Sequence, residues 1–137
     1  MRRPCSGRAE VVLRRRLAPL LLVPLTIAAG LASRKCLDGL AAKVAGDALY
    51  TVLVYVLVLV ARPSARPSRA FAIALGVSVA VEIAQLTPYP AWLSSKHVLL
   101  RLVFGTTFGW IDIAGYVVGA VAAVALHVAA RALTRAR

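Results

Sequence analysis

The chain has 137 residues, 61 % of them hydrophobic, with 17 Lys and Arg against five Asp and Glu and a net charge of +12. Soluble domains run at roughly 45–50 % apolar residues, so this composition excludes a water-soluble globule, which at this size has too little interior to hide so much apolar surface. In a soluble protein the basic excess would point to nucleic acid. Here the bases lie between long apolar runs with no aromatic residues interleaved. They read as topology signals and as contacts to anionic lipid at the cytoplasmic face, and nucleic acid is set aside.

Four apolar segments follow one another, over residues 17–33, 44–61, 70–86 and 111–130. At about 1.5 Å of rise per residue each covers roughly 25–30 Å, close to the hydrocarbon thickness of a bilayer. The expectation is an all-α integral membrane bundle of four transmembrane helices, with a basic arm over 1–16 and a basic tail over 131–137. The first segment has the arginine-rich start and small-residue end of a signal peptide, but its apolar run exceeds the usual span of about 7–15 residues. It is read as a retained helix. Pro19 is expected in its first turn, where the missing N–H costs little, and Pro24 as a kink.

The joints carry further signals. The stretch from Arg62 to Arg69, with Pro63 and Pro67, is a short polar loop. Residues 87–110 form a longer joint, with Pro88 and Pro90 closing the third helix and Trp92 and Trp110 suited to the interface. Residues 91–104 between them are expected to form a surface-lying amphipathic helix or a re-entrant segment.

Four spans place both termini and the middle loop on one side. That side holds Arg2, Arg3, Arg8, Arg14, Arg15, Arg16, Arg62, Arg66, Arg69, Arg131, Arg135 and Arg137, twelve bases against five on the other (Arg34, Lys35, Lys43, Lys96 and Arg101). The positive-inside rule then gives a plasma-membrane protein with both termini in the cytoplasm. Cys5 and Cys36 fall on opposite sides and cannot pair.

With that topology, three of the five acids reach one level. Asp47 lies near the outer end of the second span, Glu82 one turn below the outer end of the third, and Asp112 at the outer start of the fourth. An ionised carboxylate inside lipid costs about 2.5–3.5 kcal/mol at mid-bilayer on insertion scales, so three at one depth point to a shared polar site. Asp47 and Asp112 also stand where a helix N-terminus welcomes an acid, and capping alone is the competing explanation for each. Glu82 sits in the last turns of its helix, where the dipole opposes it. Gln85 and Ser78 share its face, Tyr116 stands four residues after Asp112, and Gly115 and Gly119 form a small-xxx-small packing pair. Arg34, Lys43, Lys96 and Arg101 are the candidate counter-charges. His97 and His127 have no second ligand nearby, so neither a metal nor any other cofactor is expected. The inner half of the bundle is expected to carry no polar path apart from His127.

Several short motifs resemble one family. They are Gly46-Asp47-Ala48-Leu49-Tyr50, Glu82-Ile-Ala-Gln85-Leu86, Trp92-Leu93, Gly105-Thr-Thr-Phe108-Gly-Trp110-Ile-Asp112, and then Tyr116 and Gly119, with Gly30-Leu-Ala-Ser33-Arg34 ahead of them. In order and spacing they look like the bacterial membrane family called domain of unknown function 2809. The Glu-xx-Gln and Asp-xxx-Tyr-xx-Gly pieces are also similar to VanZ-like proteins, a group linked to glycopeptide-antibiotic resistance. The chain departs from the expected pattern at Lys96, where an arginine is anticipated after the Trp-Leu pair. The resemblance implies a membrane fold and little chemistry.

Four functions fit these residues. The first is a non-enzymatic protein whose outer pocket, lined by Asp47, Glu82, Gln85, Asp112 and Tyr116 with Arg34 and Arg101 as counter-charges, binds an envelope lipid, a glycan precursor or a lipopeptide or glycopeptide antibiotic. The second is a small transporter or channel subunit whose acids carry protons or cations. An enzyme on lipid-linked substrates is the third, lacking a nucleophile or metal set, and a structural partner subunit is the fourth. The oligomeric state is left open.

Overall fold

The computed structural model describes residues 6–104 and 108–136, excepting the side chains of residues 6–15, 102 and 135. Among these residues all regular secondary structure is helical: α1 (Ser6–Cys36), α2 (Gly39–Ala61), α3 (Pro67–Ala84), α4 (Pro88–Lys96), α5 (Val98–Phe104) and α6 (Trp110–Arg135). Four of them, α1 from Arg16, α2, α3 and α6, are long and apolar enough to cross a membrane. The protein is a multi-pass membrane protein. Large apolar side chains such as Leu21, Leu25, Leu57, Ile83, Val118 and Leu126 point outward. Exposed apolar area on this scale is a liability in water and the normal outer face in lipid.

α1, α2 and α6 run past the expected spans because good helix formers flank them, whereas α3 starts three residues early and stops two short, at Ala84. Glu10, Leu13 and Arg14–Arg16 extend α1 backward, so Pro19 stands well inside the helix rather than in its first turn, and Pro24 lies inside as well. Likewise α2 starts at Gly39, which puts Asp47 two turns into the helix. The turn between α1 and α2 is only Leu37 and Asp38, and Gly39 makes that reversal with φ 56°, a conformation that glycine adopts without penalty. Pro67 opens α3 at the first position, where no N–H is needed. The long joint folds as α4 and α5 packed on each other.

Packing follows stripes of period four. On α3, Ala70, Ala74, Ser78 and Glu82 are all 0 % exposed. On α6, Tyr116, Ala120 and Ala123 are buried with Asp112, and on α2 Thr51 and Tyr55. Small residues on α3 and α6 let the backbones come close, as lipid-embedded helices require in the absence of a hydrophobic drive between them. α2 is the central element, touching α1, α3 and α6. A Cβ built at Gly115 would stand 2.8 Å from Asp47 Cβ, and one at Gly119 would collide with the carbonyl of Ala48.

The same stripes carry polar groups on toward the end of the bundle where α2 finishes, more than the single His127 expected there. Thr51 and Ser78 are hydrogen-bonded at 3.0 Å. The Ser78 hydroxyl donates its single proton to the Ala74 carbonyl, so Thr51 is the donor in that pair. One turn further along α2, the Tyr55 hydroxyl meets His127 Nδ1 at 2.8 Å. Windowed hydropathy misses these groups because each is flanked by apolar neighbours.

Candidate functional site

The site lies at the end of the bundle where α1 ends and α2 and α6 begin. A cavity of about 360 Å³ opens there, lined by Arg34 of α1, Lys43, Asp47 and Tyr50 of α2, Gln85 just past α3, Arg101 of α5, and Asp112 and Tyr116 of α6. Six of the seven expected site residues therefore meet on one wall: Arg34, Asp47, Gln85, Arg101, Asp112 and Tyr116. The seventh, Glu82, is fully buried and is not on that wall.

Glu82 instead ties two elements together. Its Oε1 accepts the Gly109 backbone N–H at 2.6 Å and its Oε2 accepts the Tyr116 hydroxyl at 2.7 Å. Gly109 is the residue immediately before α6, so this carboxyl fixes where the last span begins. Both oxygens are satisfied, which is what makes a fully buried carboxyl tolerable in so apolar a setting. Gln85, one turn later, does the same for the end of α5, its Nε2 donating to the Phe104 carbonyl at 2.8 Å. The Glu-xx-Gln motif thus bonds to Phe104 and to Gly109; the glycine-threonine part of the next motif, residues 105–107, lies outside the described residues. Tyr50 packs against Tyr116 with ring centroids 6.2 Å apart.

Asp112 has Lys43 as its ionic partner. The ammonium approaches Oδ1 as a charge contact rather than as an aligned hydrogen bond. Asp112 stands in the first turn of α6, where the dipole favours an acid, but it makes no cap hydrogen bond there; the carboxylate at that helix start is Glu82, on the Gly109 N–H. Capping does not explain Asp47 either, because it is too far from the start of α2. Asp47 Oδ2 and Gln85 Oε1 are buried acceptors with no hydrogen-bond partner among the described residues.

The cations divide differently from the sequence expectation. Arg34 crosses to α2 and lies against Gly46, where its Nε is 3.6 Å from the position a Cβ would take. Arg101 reaches the wall from α5. Lys96 does not contribute: its ammonium stacks over the Trp92 ring at 5.1 Å, a favourable cation–π contact that keeps it at the surface. His97 accepts the Leu99 N–H at its Nδ1, 3.2 Å away, within the α4–α5 turn. Cys36 is free and exposed.

Sequence reasoning named the acids and missed what they hold. The Gly109 amide and the Phe104 carbonyl are backbone groups with no sequence signature. The Tyr55–His127 pair was within reach, since Tyr55 continues the Asp47–Thr51 stripe at four-residue spacing.

The order of these motifs decides the family. The profile described as "Protein of unknown function (DUF2809)" matches residues 36–120. The chain belongs to this family. The match takes in every side chain on the cavity wall except Arg34. No curated protein and no solved structure matches the chain.

Proposed function

We propose that this DUF2809 member is a plasma-membrane binding protein with both termini in the cytoplasm, whose cavity opens to the exterior and takes a polar headgroup of mixed charge. The orientation rests on twelve bases in the terminal segments and middle joint of the sequence against five in the other two joints. The observation that carries the binding reading is the pair of unpartnered buried acceptors, Asp47 Oδ2 and Gln85 Oε1, on a wall that also bears Arg34, Lys43 and Arg101. A buried acceptor without a donor costs about 1–3 kcal/mol. A ligand bearing an ammonium or hydroxyl donor beside a phosphate or carboxylate satisfies the acceptors and the arginines together. A volume of about 360 Å³ falls in the usual range for small-ligand pockets. Envelope lipids, glycan precursors and lipopeptide or glycopeptide antibiotics offer such groups, and the resemblance to VanZ-like proteins supports the last of these.

Titration of glycerophosphoethanolamine, which carries both charges, into protein held in neutral nanodiscs tests the reading. Saturable binding is expected for the wild type, with a loss of about tenfold or more in Asp47→Asn and in Arg101→Gln, since a hydrogen bond to a charged group contributes about 1.5–3 kcal/mol. Equal behaviour of the wild type and both variants ends it. The orientation has its own test. In a Cys5→Ser background, Cys36 is expected to react with a membrane-impermeant maleimide added to intact cells, and protection until lysis would reverse the topology.

A second reading is favoured by the buried polar groups below the cavity. Glu82 and Tyr116, Thr51 and Ser78, and Tyr55 and His127 form three hydrogen-bonded pairs at successive depths. Such chains mark proton relays in membrane proteins. In this reading Glu82→Gln and His127→Phe each abolish pH-driven dye quenching in proteoliposomes. Identical rates in empty and loaded vesicles would dismiss it.

A further inference from the structure

The opposite end of the bundle holds a second, larger cavity of about 1150 Å³, lined by Arg16 of α1, by residues 61–66 between α2 and α3, and by Ser68 and Arg69 of α3. Arg16, Arg62, Arg66 and Arg69 line it, and among the described residues no acid does. None of the four has a carboxylate partner among the described residues. The N-terminus of α3 opens into the same space and adds its partial positive charge.

A groove of about 660 Å³ adjoins this cavity, and Pro63 lines both. Its walls are α1 from Ala18 to Ala29, α2 and the second half of α6, with Leu22, Leu25 and Leu126 at its exposed rim. The few polar groups along it are already engaged. The Thr26 hydroxyl turns back to the Leu22 carbonyl at 2.7 Å, and Tyr55 and His127 hold each other. The groove therefore offers an occupant only apolar contact. Residues 18–29 run about 16 Å along the axis of α1, roughly half of a 30 Å hydrocarbon core, which is the depth of one leaflet.

We propose that this end holds one anionic phospholipid, its phosphate among Arg16, Arg62, Arg66 and Arg69 and one acyl chain in the α1–α6 groove. Bases at this end of a membrane protein are ordinarily topology signals, which any cation supplies equally. A built site differs in two respects. Guanidinium forks bind phosphate oxygens in pairs, which lysine does not, and the groove makes the acyl chain part of the affinity. The site is at the opposite end from the mixed-charge cavity and stands independently of the function proposed for it.

The experiment is native mass spectrometry of the full chain in neutral detergent, titrated with long-chain phosphatidylglycerol, long-chain phosphatidylcholine, or glycerol 3-phosphate. One phosphatidylglycerol per chain is expected to remain bound, in preference to phosphatidylcholine. Arg62→Gln with Arg66→Gln lowers that affinity roughly 25-fold, at about fivefold per base near a membrane surface. Arg62→Lys with Arg66→Lys keeps the charge and still loses several-fold, while Cys36 labelling from either side is unchanged. Leu22→Trp, or Leu126→Trp if the first does not fold, fills the groove and weakens phosphatidylglycerol but leaves glycerol 3-phosphate as it was. The proposal falls if the lysine variant matches the wild type, if phosphatidylglycerol adds in unsaturating steps with no preference, or if glycerol 3-phosphate binds as tightly as the whole lipid.

Discussion

The two sides of α2 are built on opposite plans. Toward α6, glycine and alanine bring the backbones together, and the buried hydrogen bonds between spans among the described residues lie there or on the adjoining face of α3. Toward α1, leucines stand at the rim of an open apolar groove, and the α1 residues along it offer no free donor. A polar side chain in lipid needs a partner within about 3 Å, which is available only where helices pack closely. α1 packs on α2 as extensively as α6 does, but along the groove it brings no polar group for a neighbour to meet, so that space is open to an apolar occupant.

The largest effect expected from this contrast is at Gly119. Replacement by Val drives a side chain into the Ala48 carbonyl, and both backbones must move. Overpacking typically costs about 1–3 kcal/mol and occasionally more; because the obstacle here is backbone, the cost is expected above that range, as a large fall in Tm in detergent together with loss of the cavity. Glu82→Leu comes next. It strands the Gly109 N–H and the Tyr116 hydroxyl, at about 1–3 kcal/mol for each group left unsatisfied, less whatever the leucine recovers. Fluorescence of Trp110, one residue beyond Gly109, reports whether the start of α6 has shifted. Tyr116→Phe removes only one of those bonds and should cost about half as much. If the double variant Glu82→Leu/Tyr116→Phe costs the sum of the singles, the two residues are not coupled and the seam is less cooperative than its hydrogen bonds imply.

Smaller effects sharpen the comparison. Thr51→Val breaks the contact with Ser78, leaving the Ser78 bond to Ala74 in place. Buried hydrogen bonds between membrane helices average about 0.6 kcal/mol, so the loss should be just resolvable by reversible unfolding. On the α1 side, Leu21 is 71 % exposed, and Leu21→Ala should lie within about 0.5 kcal/mol of wild type. A loss near that of Glu82→Leu would mean that α1 has a protein partner where lipid is expected.

The sequence reached the acids and stopped short of their partners. Asp47, Asp112 and Glu82 could be assigned one depth because depth along a span follows from counting residues. That Glu82 turns away from the cavity while the other two face it depends on helix rotation, which counting leaves free. Lys96 and Lys43 were equivalent as counter-charges until α4 carried one to Trp92 and α2 brought the other to Asp112. The cap explanation for Asp47 failed for a local reason, since the helix-forming run 40–43 moved the start of α2 backward.

What the sequence determined by itself was the solvent of the fold. Long uncharged runs can be stable only as helices in lipid, because a backbone without water must satisfy its own hydrogen bonds, and this settled the helical class and the number of spans. The tertiary structure decided which side chains share a cavity and which only brace it. Those choices turn on the rotation and approach of each helix, which are set by small residues on its neighbours and by contacts tens of residues apart.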